Sequence, residues 1–271
     1  MQLDDYYEMN MEEFRTFRKE KSESEYLVVD VRFPEEYEEE HIPGCVLLPL
    51  AEINARLTEL PADKDIIFYC HSGKRSRTAS LFATSVPFFE KKIYNLEGGI
   101  ISFTDRTVPD YPVLQVFDFD ADLSDLFKTA MNLEKGAENF YRAVLQEIGD
   151  VPYRKTIEIL GQAETGHARL IYSMWKKTEE NIPPFEDMYA SLPGDIVEGG
   201  KSIAEHLEKL HKIEDNFEAR LLEIVLEIEH AAYDLYRSVA LRLQGTELER
   251  SFITLAEAEK GHMLLASQGM G

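Results

Sequence analysis

A chain of 271 residues with 44% hydrophobic side chains has enough apolar material for one or two packed cores and is not disordered. Its 51 acidic against 29 basic residues give a net charge of −22, shared almost evenly by the two halves, which excludes a nucleic-acid or anionic-membrane binder. No apolar run approaches the roughly 20 residues of a membrane span, the start Met1-Gln-Leu-Asp-Asp5 has the wrong polarity for a secretion signal, and two cysteines are too few for a disulfide framework or a four-cysteine iron site, so a cytoplasmic protein is expected.

Along the first 115 residues short apolar runs alternate with helix-like stretches. Buried strands are expected at Tyr26–Val31, Val46–Leu48, Asp65–Tyr69 and Lys92–Leu96, and helices near 9–20, 34–40, 50–57 and 76–86. The acidic run Glu35–Glu40 reads as a solvated helix face. Strands separated by helices predict an α/β domain over 1–115 with a largely parallel sheet. Pro109 and Pro112 interrupt this pattern, and 116–121 is the expected linker.

Cys70-His71-Ser72-Gly73-Lys74-Arg75-Ser76 follows the apolar run Ile66–Tyr69 and precedes a helix start. A thiol at the end of a strand, above a helix N-terminus and beside Lys74, Arg75 and Arg77, sits in positive potential, so its pKa should fall below the roughly 8.5 of a free thiol. Backbone N–H groups of such a loop cradle an anion. Cys45, in apolar surroundings, reads as structural. With Val28-Val-Asp30-Val-Arg32-Phe-Pro-Glu-Glu36-Tyr37, His41-Ile-Pro-Gly44-Cys-Val-Leu-Leu-Pro49 and Asn95-Leu-Glu-Gly98-Gly99-Ile100, the loop makes this half resemble the rhodanese, or sulfurtransferase, domain. The resemblance implies Cys70 as nucleophile with Arg75 as its catalytic partner, and His71, Ser72, Gly73, Lys74 and Ser76 around the substrate. It departs from the family at Phe103, where a Trp is usual nearby. Asp30 and Arg32 read equally as a fold-stabilising pair.

From 122 onward the periodicity is helical. The first helix runs to the Gly149-Asp150 turn, the second from near Pro152 to about 178; a long connection with a short helix at 202–211 follows, and two more helices meet at Gly245. Short, long, short connections describe a four-helix bundle with one crossover, a ferritin-like arrangement over 122–271. The bundle also repeats itself. Ala130–Tyr141 aligns with Val225–Tyr236, and Leu160–His167 with Leu255–His262, at one offset of 95 residues. Each half supplies a lone Glu, Glu134 or Glu229, and a Glu-x-x-His, Glu164 with His167 or Glu259 with His262. Glu and His three apart share a helix face, and carboxylates buried among apolar neighbours need cations or shared protons. Oxygen and nitrogen ligands without thiolate suit iron or manganese.

These ligand positions make the second half resemble rubrerythrins and other ferritin-like proteins, which implies two iron ions, with manganese as the alternative. Rubrerythrins usually carry a further Glu where this chain has Ala232; the counterpart in the first helix is Ala137. A symmetric six-ligand site is therefore expected. His206, His211 and His230 are expected on solvated faces, and Tyr141 and Tyr236, two turns beyond the lone Glu residues, either hydrogen-bond to the site or pack. The resemblances together imply a sulfurtransferase working through a Cys70 persulfide, fused to a di-iron domain with oxygen- or peroxide-linked redox activity. Its partners would be a sulfane-sulfur donor, a thiol acceptor, an electron-transfer protein and a second copy of the chain in a homodimer. Two other classes fit the same residues: an iron-binding, persulfide-carrying protein without turnover, and an oxyanion reductase or redox sensor on the rhodanese fold.

Overall fold

The computed structural model describes residues 6–109, 122–212 and 217–269. The expected linker at 116–121 lies outside them. They form two compact units: Met1–Asp110 with Tyr236–Glu257, and Tyr111–Leu235 with Ala258–Gly271.

In the first unit five parallel strands run in the order β1-β5-β4-β2-β3: β1 Tyr7–Met9, β2 Tyr26–Asp30, β3 Cys45–Leu47, β4 Asp65–Tyr69 and β5 Ile93–Leu96. Every residue of β2 and β4 is buried, which is why both read as continuous apolar runs rather than alternating ones. Their side chains divide between two cores. Leu27, Val29, Ile66 and Phe68 pack with Ile53, Leu57, Ala79 and Ala83, while Val28, Ile67, Tyr26 and Tyr69 pack with Phe14 and Tyr37. The helices are α1 Met11–Glu20, α2 Pro34–Glu39, α3 Ile53–Arg56 and α4 Lys74–Ser85. Asn10 caps α1, accepting from the N–H groups of Glu12 and Glu13 while Glu13 reaches back to the Asn10 N–H, so the helix begins two residues later than periodicity suggests. The stretch 50–57 is a single turn of α-helix between two 3-10 turns. β1 escapes the sequence pattern because it has three residues, two of them exposed.

The helical half contains α5 Leu123–Glu147, α6 Arg154–Thr178, α7 Phe185–Ser191, α8 Ile203–His211, α9 Phe217–Arg242 and α10 Glu247–Gly269. Asp122 caps α5, and Arg154 of α6 donates to the Leu145 and Ile148 carbonyls at its other end. Four long helices with one long crossover give the ferritin-like bundle. The sequence pattern contains α8 but not the seven-residue α7 that precedes it in the crossover. Both short helices are anchored: Lys135 on α5 donates to the Tyr189 and Leu192 carbonyls, and the Ser202 and Glu205 side chains form a capping box on α8.

Although α9 and α10 are continuous, their stretch Tyr236–Glu257 groups with the α/β layer, whereas periodicity alone assigns it to the helical domain. Arg237 donates to the Glu23 carbonyl at 2.7 Å and stands 3.3 Å from its carboxylate, which also accepts from Tyr26. Lys64 pairs with Glu249 at 2.8 Å, and Leu241 packs on the β2–β4 core. Among the described residues no helix is long and apolar enough to cross a membrane.

Candidate functional sites

The cysteine loop stands where β4 gives way to α4. Gly73 adopts φ +87, outside the range comfortable for a side chain, and lets the chain turn so that its N–H donates to Cys70 Sγ at 3.1 Å. The Ser76 hydroxyl donates at 3.5 Å. Behind the loop, the Ile100 and Ile101 N–H groups donate to the Cys70 and His71 carbonyls, and a Cβ on Gly99 would stand 2.1 Å from the Cys70 carbonyl oxygen. The Gly98-Gly99 pair thus serves as the backing on which the loop rests. Cys70 is pulled below its ordinary thiol value: burial opposes the thiolate, but the Ser76 hydroxyl and the N–H groups of Ser76, Ser72 and Gly73 outweigh it.

The loop cations act less directly than the sequence suggests. Arg75 makes a bidentate pair with Glu36 at 2.7 and 2.8 Å and lies over Phe33, while Arg77 pairs with Glu8. That pairing raises Arg75, with Cys70 adding to the effect, and holds Glu36 down at about 2. His71, Ser72 and Lys74 are exposed; Gly73 and Ser76 are buried. Asp30 and Arg32 are both buried and doubly bonded, and Arg32 also donates to the Glu40 carbonyl, so they stitch the loop after β2 rather than face the thiol. Cys45 lies buried against the Tyr69 hydroxyl at 3.2 Å, and neither cysteine is in a disulfide.

In the second unit the six ligand candidates meet in one buried box. Glu134 comes from α5, Glu164 and His167 from α6, Glu229 from α9, Glu259 and His262 from α10. The imidazoles stack with centroids 5.0 Å apart and present the same atom, Nδ1, to the carboxylates. Glu259 spans them, with Oε1 at 3.0 Å from His167 and Oε2 at 3.0 Å from His262. Glu164 spans them less evenly, at 3.2 and 3.9 Å. The lone residues take one side each: Glu134 lies 3.3 Å from His167 and Glu229 3.1 Å from His262. Pseudo-symmetry read from the 95-residue repeat is therefore present in space, with two carboxylates between the rings and one outside each.

Burial drives the box's acid–base behaviour. It penalises both imidazolium ions, yet the surrounding carboxylates win: Glu259 and Glu134 raise His167, and Glu229 and Glu259 raise His262 to about 11. Burial raises Glu164 well above the ordinary carboxylate range and Glu229 to about 7, while Glu259 is lowered because the two imidazoles overcome its burial. A site that holds its charge only by sharing protons suits a cation. Glu259 Oε1 and His167 Nδ1 are buried and face only other members of the box, and ligand atoms of Glu164, His167, Glu259 and His262 lie within 4.8 Å of one another. This donor set fits iron or manganese.

The surroundings decide one open alternative, at Tyr141 and Tyr236, and depart from expectation at His206, His230 and Glu198. Tyr141 hydrogen-bonds through its hydroxyl to Glu229 Oε1, whereas its repeat partner Tyr236 is buried with its ring against Phe252. His206 is not on a solvated face: it is 2% exposed, edge-on to Phe140, because α8 folds back over α5. His211 is exposed and pairs with Glu147, while the partly buried His230 ring reaches the Leu226 carbonyl. Sequence reasoning also missed Glu198. It is 3% exposed in the crossover, its Oε2 has no hydrogen-bond partner, and burial, followed by the charges of Glu134, Glu259 and Glu229, raises it well above the ordinary carboxylate range. A search for repeats passes over it because the crossover occurs once; the available signal was an acidic residue between Val197 and the Gly199-Gly200 turn.

A rhodanese-like domain model matches residues 13–106, and a rubrerythrin model matches residues 125–268. The chain is 38% identical over 100 residues to the putative sulfur carrier protein YrkF of Bacillus subtilis, covering 37% of this chain and 52% of that one, so it spans about half of that relative's length. It is 36% identical over 83 residues to a sulfurtransferase of Allochromatium vinosum, covering 31% of this chain and 76% of that one. Among solved structures, a rhodanese-related protein from Thermoplasma volcanium is similar at 27% identity with a TM-score of 0.33, covering 38% of this chain and 98% of that one. With more than half of its length matched by the rubrerythrin model and a rhodanese-like domain preceding that region, the chain belongs to the rubrerythrin family.

Proposed function

We propose that the chain transfers sulfane sulfur through Cys70 and binds two iron ions among Glu134, Glu164, His167, Glu229, Glu259 and His262 for redox chemistry with oxygen or peroxide. The first half of this reading rests on the cradle around Sγ, in which one hydroxyl and a ring of N–H groups favour the thiolate. The Cys70 thiolate attacks the outer sulfur of a donor such as thiosulfate; an S–S bond forms to Sγ, the donor's S–S bond breaks, and sulfite leaves with that electron pair. The terminal sulfur is then anionic, stabilised by the same N–H groups. An acceptor thiolate takes it as a new persulfide and returns the electron pair to Cys70. Arg75, within electrostatic reach of Cys70, would attract the anionic donor to the loop.

The second half rests on the buried box of four carboxylates and two imidazoles. Bound iron would supply the capacity to exchange electrons with oxygen or peroxide. Glu164 and Glu259, each reaching both imidazoles, would hold the ions together with Glu134 and Glu229, which reach one imidazole each, and Tyr141 would fix the orientation of Glu229. Cys70→Ser should abolish persulfide formation with folding intact, while Cys45→Ser keeps it, read by mass spectrometry after thiosulfate treatment. Anaerobic metal analysis should give two irons per chain, with Glu164→Ala and Glu259→Ala losing affinity comparably. Persulfide on Cys45 alone, or full iron uptake in the double variant, would remove the respective half. Repeated turnover with peroxide, rather than a single stoichiometric oxidation, distinguishes an enzyme from an iron-binding protein.

A further inference from the structure

The crossover between α6 and α9 is pressed onto α5 at the level of the carboxylate box. Asn132 accepts from the Gly194 N–H at 2.8 Å, Asn139 donates to the Gly194 carbonyl at 2.9 Å, and Gly136 approaches the backbone so closely that an added Cβ would stand 1.7 Å from the Ile196 carbonyl oxygen. Gly136 is two residues beyond Glu134. From Ile196 the chain makes a tight return, with Val197 N–H donating to the Lys201 carbonyl, Gly200 N–H to the Val197 carbonyl, and an antiparallel bridge between Ile196 and Ser202. Gly199 and Gly200 both take positive φ. Glu198 stands at the head of this return, almost fully buried, with Oε2 unpartnered.

A buried carboxylate oxygen without a partner is expensive and is retained only where something compensates it. Val197, the residue before Glu198, belongs to the bundle core with Ala137 of α5 and Ile228 of α9, close in sequence to Glu134 and Glu229, so the return carries Glu198 into the bundle interior, where the charges of Glu134, Glu259 and Glu229 act on it. Neither Ala137 nor Ala232, both buried, supplies an additional carboxylate from a helix. We propose that Glu198 is a seventh protein ligand, delivered from the crossover to the metal held by Glu134 and His167, and that it makes the two metal positions chemically unequal. This inference rests on the dimetal reading above. The six-ligand set is nearly twofold in the structure, whereas among the described residues the crossover, and Glu198 with it, occurs once. One metal would thus carry an extra anionic ligand and a lower net charge.

The test uses full-length protein and ferrous iron added anaerobically, comparing wild type, Glu198→Gln and Glu164→Gln by competition with a chelator and by Mössbauer spectroscopy. Wild type should take two irons with two distinct ferrous signals. Glu198→Gln should weaken one of the two by at least about tenfold, the scale of losing a group that supports a metal, and at saturating iron its signals should converge. Unchanged affinity and two distinct signals in Glu198→Gln, alongside iron loss in Glu164→Gln, would overturn the seventh ligand and leave the dimetal reading standing. Failure of wild type to bind iron would overturn both. Near-UV circular dichroism checks folding; if Glu198→Gln does not fold, Glu198→Asp, with the charge retained but withdrawn by one methylene, should show the same selective weakening, and wild-type affinity with two distinct signals there would overturn the inference.

Discussion

Cys70 is governed by neutral donors more than by the cations that surround it in sequence. Because Arg75 and Arg77 are committed to Glu36 and Glu8, removal of the Ser76 hydroxyl should matter more than a count of charges suggests. One hydrogen bond to a thiolate is worth about 1 kcal/mol, so Ser76→Ala should raise the Cys70 pKa by roughly 0.7 of a unit. The pH profile of alkylation by iodoacetamide measures this directly, and an unshifted midpoint would place the control elsewhere. His206 offers a second test. Burial lowers it to about 4, so its folded pKa lies below the unfolded value near 6.5, and its contribution to stability is present above 6.5 and lost as pH falls toward 4. Glu227 and Glu205 oppose this shift, while Lys201 and Lys209 reinforce it. Both ring nitrogens lack partners. His206→Phe should therefore be more stable at pH 7 by on the order of 1 kcal/mol and should lose less stability between pH 6.5 and 4, measured by urea unfolding.

At the scale of elements, the glycine in the middle of α5 is a position where a side chain cannot be accommodated. Gly136→Ala would drive a methyl into the Ile196 carbonyl, and since the backbone on both sides is held by Asn132 and Asn139, the strain should cost about 1–3 kcal/mol. A fall in the thermal midpoint of the metal-free protein, without loss of helical circular dichroism, is the expected result. This contact also marks where the sequence stopped being legible. Strands β2 and β4 and the four long helices are carried by periodicity over many residues, and the box by a repeat, so each was readable from the chain alone. β1, α7 and the Glu198 turn are short, depend on contacts with α5 or β5, and occur once. The burial of His206 has the same origin: its surroundings come from another helix, which local periodicity does not encode.

For the whole molecule, the buried pair Arg237–Glu23 joins the two chain segments that make up the first unit. Glu23 is fully buried and Arg237 is 5% exposed. Replacing Arg237 with Met removes one partner of a buried pair and leaves the other behind, which costs about 3–5 kcal/mol. Arg237→Met should thus lower the thermal stability of the α/β layer and the persistence of sulfur transfer on heating, although residue 237 is more than a hundred positions from the cysteine loop in sequence. An unchanged inactivation temperature would show that the pair contributes little.

That α9 and α10 contribute Tyr236–Glu257 to the first unit has a consequence for recombination. A gene cut between the two recognisable domains would look clean on the page, yet the transplanted front half would leave part of its own packing in the donor. An exchange that carries residues 236–257 together with 1–110 should yield a better-behaved chimera than one that respects the domain boundary, because the unit that nature would have to move is discontinuous in the chain.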